Sequence, residues 1–513
     1  MKVGVALSGG GHRASAWGVG VLAAVVDAGL GRDVTSVTSV SGGSITNGVV
    51  AQNVDLTTAT PQEFDAGVAS ALASYATSGL FYPGPRTDGY VRTLFGTAAL
   101  AGLATLAFVA ALSAFGREVN PFWYLALALL VWVIGLALRK PPRLVLVAGA
   151  GIGIAAFLGA LATSYVDGWV AAAVVLALAV VAAVAWIAAA MLFSRRGLVV
   201  ARALALTHFH GETTPGGTRL DQVARPVNHV FLATDLESGD QFYLAPRFLY
   251  GYREGIADPA GAGTTVATAV QASAALPGAF PPLEVATGKF DRRWEVHPNA
   301  PWPLPERVWL SDGGVYDNMA EQWESGFEGR VERWPDLARI QDAAEVLIVA
   351  NASAAWDWAP FGSPGLLMRE VTALLRDQGV QYDVSTSRRR SELLTRFRLA
   401  EIQGFGLNGV IVMIDRPPYR VCDRYRNGSG DARDLRAAEA LAYLGDDAAS
   451  RQRWDELVAG NAGAKTTLGP LGAPTTVDLI EHAYVSTLVN LYVLHGLGTL
   501  VPFDRARFEA LIG

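Results

Sequence analysis

The first residue of chemical interest is a serine lying between a β-branched run and a helix-forming run. Ser41 stands in Ser39-Val40-Ser41-Gly42-Gly43, directly after the strand-like stretch 34–40. Small residues at a strand-to-helix turn let a serine hydroxyl project from a tight, strained elbow, the arrangement of Gly-x-Ser-x-Gly hydrolases, although Ser39 here replaces the first glycine. Short matches of this kind also arise by chance, so the serine needs partners. Its hydroxyl is a weak nucleophile until a base takes the proton. The seven histidines are His12, His208, His210, His229, His297, His482 and His495, and none has the late strand-to-loop setting of a triad. His12, beside a glycine turn, is expected to be exposed. The better base is Asp312, where an apolar run ends in Leu310-Ser311-Asp312-Gly313-Gly314, as for a carboxylate presented on a loop at the sheet edge. Without Ser41 this motif reads as a plain Asp-Gly turn.

A third group precedes the first helical run, in Ser8-Gly9-Gly10-Gly11-His12-Arg13. Three glycines before a helix expose backbone N–H groups at the positive end of its dipole, which suits an anion or a transient oxyanion. A plain tight turn is the other reading. A phosphate loop needs a lysine after its glycines, and the four lysines, Lys2, Lys140, Lys289 and Lys465, all lie elsewhere. Ala14 breaks the dinucleotide pattern Gly-x-Gly-x-x-Gly.

These residues need a scaffold. Residues 2–7 read as a buried strand, Ala14–Ala28 as a helix stopped by Gly29, and 34–40 as a second strand leading into another helix. Residues 230–233, 346–349 and 410–414 extend the series. Strands alternating with helices imply an α/β fold with a mostly parallel sheet and helices on both faces. The apolar run after Lys2 is too short for a secretory h-region and ends in glycines, which favours the strand. Residues 477–500 are apolar but interrupted by Asp478, Glu481, His482, Asn490 and Gly496, as in a core helix. The basic stretch 387–398 has helical spacing; a solvated face and a contact with anionic headgroups are both open. Trp302, among prolines 301, 303 and 305, suggests a rigid loop near the site.

Taken together, Gly9-Gly10-Gly11-His12-Arg13, Ser39-Val40-Ser41-Gly42-Gly43 and Asp312-Gly313-Gly314 occur in the order and context of the patatin-like phospholipases, and the chain resembles that family. Residues 233–239 and 272–282 are similar to its bacterial members. The resemblance covers roughly residues 1–50 and 228–320. It implies a lipid acyl hydrolase with a Ser–Asp dyad and no catalytic histidine. Ser41 is then the nucleophile that forms an acyl-enzyme, and Asp312 the base. Backbone N–H groups of Gly9, Gly10 and Gly11 make the oxyanion hole, Arg13 holds that loop, and Gly42, Gly43, Gly313 and Gly314 support the two turns. Ser8 stands where many relatives have aspartate, and Ala14 where they have glycine; neither change removes a donor.

Composition bounds the rest. Of 513 residues, 51% are hydrophobic and only 17% charged, against about 25% charged in average soluble proteins, so some apolar surface is expected to face lipid. The net charge of −6 offers no general field for nucleic acid. The single Cys422 excludes an internal disulfide, and neither a metal nor another cofactor is indicated.

Residues 94–115, 121–138, 144–166 and 168–193 contain no Asp, Glu, Lys or Arg over 22, 18, 23 and 26 positions. About 20 residues cross a bilayer core as a helix. Four such stretches read as a transmembrane bundle inserted into the catalytic domain, giving segments 1–93, 94–193 and 194–513. Arg86, Arg92, Arg139, Lys140, Arg143, Arg195, Arg196 and Arg202 flank the spans on one side and Arg117 on the other. The positive-inside bias therefore predicts a multi-pass protein of the cell membrane with catalytic domain and both termini cytoplasmic. The spans carry no ionisable group, as in an anchor and unlike an ion pathway. Gly149 and Gly153 have small-xxx-small spacing, which packing within the chain or dimerisation explains equally well. The partners expected are a membrane lipid substrate and the bilayer. The competing reading is a catalytically silent membrane receptor or scaffold that uses the hydrolase-like domain to bind lipid or protein.

Overall fold

The computed structural model describes residues 1–80, 85–115, 169–209, 217–277, 280–291, 305–353 and 369–513. The chain divides into two compact units, Met1–Pro83 with Val200–Gly513, and Gly84–Val199.

The first unit is built on a ten-stranded sheet. β1 (Val3–Leu7), β2 (Val34–Ser39), β3 (Asn228–Asp235), β9 (Val346–Asn351) and β10 (Asn408–Met413) run parallel in the order β10-β9-β1-β2-β3. β4 (Gln241–Ala245), β5 (Phe248–Gly251) and β6 (Gly255–Ala257) extend it as an antiparallel meander beyond β3. β8 (Arg307–Asp312) pairs with the far end of β3, at Ala233–Asp235, while β7 (Leu283–Ala286) covers its other edge. Because β4 already occupies one side of β3 at Ala233 and Thr234, β8 lies on the side that β2 occupies earlier along the strand. β2 and β8 therefore follow one another along a single edge of β3.

The parallel strands are buried on both faces, and their side chains alternate between two cores as the pleat requires. Val3, Val5, Leu7, Phe231, Ala233, Ile348 and Val410 enter one core, with α1 (Gly11–Asp27), α2 (Gly42–Asn53) and α3 (Val266–Ser273). Val230, Leu232, Leu347 and Val349 enter the other, with Trp323, Phe327, Trp334 and two residues of α4 (Arg369–Gln403). The interrupted apolar stretch near the C-terminus is α5 (Ala473–His495), which packs on α1. Gly20 permits that approach, since a Cβ there would meet the Ile480 carbonyl at 2.5 Å. Two of the polar interruptions of α5 have partners: His482 Nε2 donates to the Arg416 carbonyl at 2.8 Å, and Glu481 accepts from Arg505 at 2.8 Å.

In the second unit, the first and last apolar stretches lie in helices Pro85–Phe115 and Trp169–Ser194. Within them, Arg92–Ala111 and Ala173–Ser194 are long and apolar enough to cross a membrane, with 20 and 22 residues and mean hydropathy of 2.0 and 2.7. Leu103, Leu106 and Val184 are exposed, which a water-soluble core helix would avoid. Trp186 Nε1 donates to Thr105 Oγ1 at 3.1 Å, tying the two helices together. The second and third stretches, with Arg117, Arg139, Lys140, Arg143, Gly149 and Gly153, lie outside the described residues, as does the Trp302 loop.

Candidate active site

Strand register explains how two residues far apart in sequence meet. On β3, Ser39 is opposite Phe231 and Asp312 opposite Ala233, on the same side. Two residues of strand span about 7 Å, and Ser41 lies two residues beyond Ser39. The loop after α3 closes the gap: Ser41 N donates to the Ser273 carbonyl at 3.1 Å, and Asp312 N to the Ala275 carbonyl at 3.0 Å. The nucleophile and base candidates thus hang from carbonyls two residues apart. Thr234 Oγ1 fixes Asp312 from the other direction by donating to its carbonyl at 2.9 Å.

Ser41 has φ 51° and ψ −120°, a backbone state rare for any residue with a side chain and costing on the order of 1–3 kcal/mol. Its neighbours make the turn feasible. A Cβ on Gly42 would overlap the Gly11 backbone, and one on Gly43 would sit 2.6 Å from the Leu7 carbonyl. Ser15 Oγ donates to the Gly42 carbonyl at 2.7 Å and lies 3.2 Å from the Gly11 carbonyl, holding α1 against the elbow.

Beneath the elbow runs a buried hydroxyl and amide network. Ser273 Oγ accepts from Ser41 N at 3.2 Å and bonds Ser44 Oγ at 2.8 Å; Ser44 Oγ donates to Ser39 Oγ at 3.0 Å. Asn47 Nδ2 donates to Ser39 Oγ at 2.8 Å, and its Oδ1 accepts from His229 Nδ1 at 2.7 Å. Ser39 is therefore a built part of the turn, its Oγ accepting from two side chains that the usual glycine could not serve. Burial pushes the His229 ring down to about 3, with nearby Arg225 adding to the effect, so it is neutral.

The Asp312 carboxylate is buried. One oxygen accepts from Gly314 N at 2.7 Å, and Oδ2 has no fully formed hydrogen bond. The Ser41 hydroxyl lies close enough to favour the ionised form, without reaching good hydrogen-bond geometry. Burial wins over both interactions and pushes the carboxyl up to about 6. At Asp312 the strand is paired on one side only, with Ala233 of β3, because β7 ends opposite Leu310; the carboxyl is nonetheless buried. Gly313 lets the turn pass the Leu232 carbonyl, and a Cβ on Gly314 would meet Asn318 Oδ1 at 2.8 Å.

The glycine loop faces the elbow. A Cβ on Gly9 would come within 3.2 Å of Ser41 Cβ and strike Asn318 Oδ1. Gly9 N is not available to an oxyanion, because it donates to the Asn318 carbonyl at 3.0 Å. Gly10 and Gly11 N–H groups have no hydrogen-bond acceptor among the described residues. They stand at the start of α1, which has no acidic residue in its first turn. Their φ values of 141° and 60° explain the glycines. Arg13 is buried; its Nε donates to the Ala352 carbonyl at 3.1 Å and its Nη1 to the Ala464 carbonyl at 2.6 Å, joining the loop to two distant segments. Burial lowers its pKa, yet a guanidinium remains charged. His12 is buried, against expectation: its ring packs on Tyr75 with centroids 5.0 Å apart and Nδ1 donates to the Gly469 carbonyl at 2.9 Å. Burial brings it down to about 4.

Ser15, Ser44, Asn47, His229, Ser273 and Asn318 have no signature of their own in the sequence. Only the stretches 233–239 and 272–282, which supply Thr234, Ser273 and Ala275, pointed toward this region. Among the described residues no group of His, Cys, Asp or Glu is arranged to hold a metal ion.

A serine elbow, a dry carboxylate and a glycine loop at a helix start on an α/β sheet define a hydrolase-type site. The patatin-like phospholipase family model matches residues 5–322, and the chain belongs to that family of lipid hydrolases. No curated protein matches the chain. Among solved structures, the crystal structure of VipD from Legionella pneumophila is similar at 12% identity over 95% of this chain and 91% of that one, with a TM-score of 0.22, too loose a superposition to argue from.

Proposed function

We propose that this protein is a membrane-anchored serine lipid acyl hydrolase that cleaves carboxylic ester bonds of phospholipids or related lipids through Ser41 and Asp312. The observation that carries the reading is the pairing of a strained Ser41 with a buried Asp312 oxygen that lacks a settled partner, both suspended from the loop after α3.

In this mechanism Asp312 Oδ2 takes the Ser41 proton as Oγ attacks the ester carbonyl. The negative charge on the tetrahedral oxygen is met by the Gly10 and Gly11 N–H groups at the positive end of α1, with Arg13 adding fixed charge nearby. One such donor is worth about 10²–10³ in kcat. Asp312 returns the proton to the departing alcohol, leaving an acyl-Ser41 ester. A water then gives its proton to Asp312 and attacks the acyl carbon, releasing the fatty acid and regenerating Ser41. The helices of residues 85–194 anchor the catalytic unit at the cytoplasmic face of the cell membrane. This keeps lipid at a high effective concentration without added affinity for single molecules.

A fluorophosphonate probe and lipid vesicles provide the test. Wild type is expected to be labelled and to release fatty acid, with both lost in Ser41→Ala; undiminished labelling of that variant would remove Ser41 from its role.

A further inference from the structure

At the open edge of the sheet, two strands from β1, an arginine-lined groove runs beside β10. Asn408 N and Ile414 N donate to carbonyls of the β9 side, Glu345 at 2.8 Å and Asn351 at 3.1 Å. By alternation Gly409, Ile411 and Met413 turn their backbone groups away from β9 and into the groove. The groove has a cavity volume of about 370 Å³ and is lined by Arg390 and Arg398 of α4 with Arg416, Arg420, Arg424 and Arg433. Six guanidinium groups face one lining carboxylate, Glu401, and Arg433 engages it. Arg416 has its neighbour Asp415 at 3.6 Å. Arg390, Arg398, Arg420 and Arg424 have no ion-pair partner among the described residues.

Elsewhere in the same C-terminal region the chain pairs its arginines generously. Arg451, Arg505 and Arg507 each meet two or more carboxylates. A protein of net charge −6 that places four arginines without ion-pair partners around one concavity holds them against mutual repulsion, which an anion would relieve. Guanidinium forks match phosphate oxygens in geometry as well as charge. Between the lining residues Glu401 and Asn408 the chain carries two exposed apolar side chains, Ile402 at 81% and Phe405 at 72%, the latter between Gly404 and Gly406.

We propose that this groove is a second binding site, separate from the Ser41 centre, for a phosphate-bearing anion. Where the phosphate belongs to a lipid headgroup, Ile402 and Phe405 enter the acyl boundary beside it. The site does not depend on catalysis, so it is tested on full-length Ser41→Ala protein in neutral detergent. Inorganic pyrophosphate is titrated calorimetrically in one arm. Phosphatidate at 10% in mixed micelles is titrated in the other, against phosphatidylcholine.

Three arginines are removed in Arg398→Gln/Arg420→Gln/Arg424→Gln, with Arg32→Gln/Arg253→Gln/Arg339→Gln as the charge-matched control and melting temperature as the check on folding. Each surface arginine contributes roughly fivefold to headgroup affinity, so the groove variant is expected to bind at least tenfold more weakly in the arm that binds, with the control unchanged. Binding of phosphatidate alone, or binding weakened by Ile402→Ser/Phe405→Ser only in the lipid arm, identifies a headgroup as the source. Pyrophosphate bound as tightly as phosphatidate identifies a free phosphate compound. Binding of neither probe, or equal loss in groove and control variants, overturns the site, and neither result bears on the Ser41 chemistry.

Discussion

The buried base makes the pH profile the sharpest test of the dyad. A carboxyl held at about 6, against an ordinary value of 3.8, has its charged form disfavoured by roughly 3 kcal/mol. Burial is the cause, and the Gly314 N–H and the Ser41 hydroxyl only partly offset it. Two consequences follow with opposite signs. Turnover needs the ionised carboxylate, so kcat/KM on a soluble ester is expected to rise about tenfold from pH 5 to pH 7 and then level, reporting the free enzyme. Stability moves the other way. Between about pH 4 and 6 the folded state holds the Asp312 proton that the unfolded chain has released, so stability falls as pH rises through that window and the full deficit is present above it.

Asp312→Asn removes the charge with little change of shape. It is expected to lose about 10²–10⁴ in kcat and to gain thermal stability over wild type at pH 7.5 but not at pH 4. The assay is a pH–rate profile of wild type alongside melting of both proteins at the two pH values. A flat rate between pH 5 and 7, or a wild-type inflection near 4, would show that Asp312 is solvated and would refute the argument from burial.

Three further perturbations probe the supports. Gly42→Ala drives a Cβ into the Gly11 backbone and is expected to cost about 3 kcal/mol and at least 10²-fold in kcat, whereas Gly29→Ala, at φ 72° in open space, costs about 1 kcal/mol and leaves turnover intact; chemical denaturation and ester hydrolysis distinguish them. Ser39→Gly restores the more usual elbow residue but removes one of the acceptors of Ser44 and Asn47, each of which keeps another partner, so denaturation is expected to show a loss of about 1 kcal/mol with no gain in rate. Deleting Gly84–Val199 and closing the gap with a short linker is expected to retain hydrolysis of soluble esters while vesicle hydrolysis falls; loss of the fold would show that the insert is not separable.

Local pattern carried much of the architecture. The strands around Val3–Leu7, Val34–Ser39, Val346–Asn351 and Asn408–Met413 were legible because each is a short apolar run bounded by turn residues, and α5 because its polar interruptions recur among buried positions. The antiparallel strands β4–β8 were not legible, since their order along β3 is fixed by long-range pairing. At the site, types and spacing pointed to Ser41, Asp312 and the glycine loop. They left unsaid that Gly9 N is engaged by Asn318, that His12 is buried against Tyr75, and that the Asp312 carboxyl is buried. Each of those depends on what a remote segment brings, and a serine such as Ser273 looks like any other until Ser41 N is found donating to it.

The proposed two-residue device without histidine places unusual demands on the fold. An imidazole near pH 7 is a base almost anywhere, whereas an ordinary carboxylate is too weak to draw a proton from serine unless water is removed from it. Here the pairing of Asp312 with Ala233 on β3 holds it toward the elbow, and burial of the side chain keeps water from its carboxyl. A substitution that opened the packing on the face of β8 shared by Val308, Leu310 and Asp312 would lower the Asp312 pKa and weaken the base even with both side chains in place. Truncating Val308, buried on β8 and paired with Val285, to alanine is the least invasive way to begin such an opening. The pH–rate inflection of that variant is expected to move below 6 while Ser41 still takes a fluorophosphonate; an unmoved inflection would mean that Asp312 owes its basicity to its immediate turn and not to the sheet.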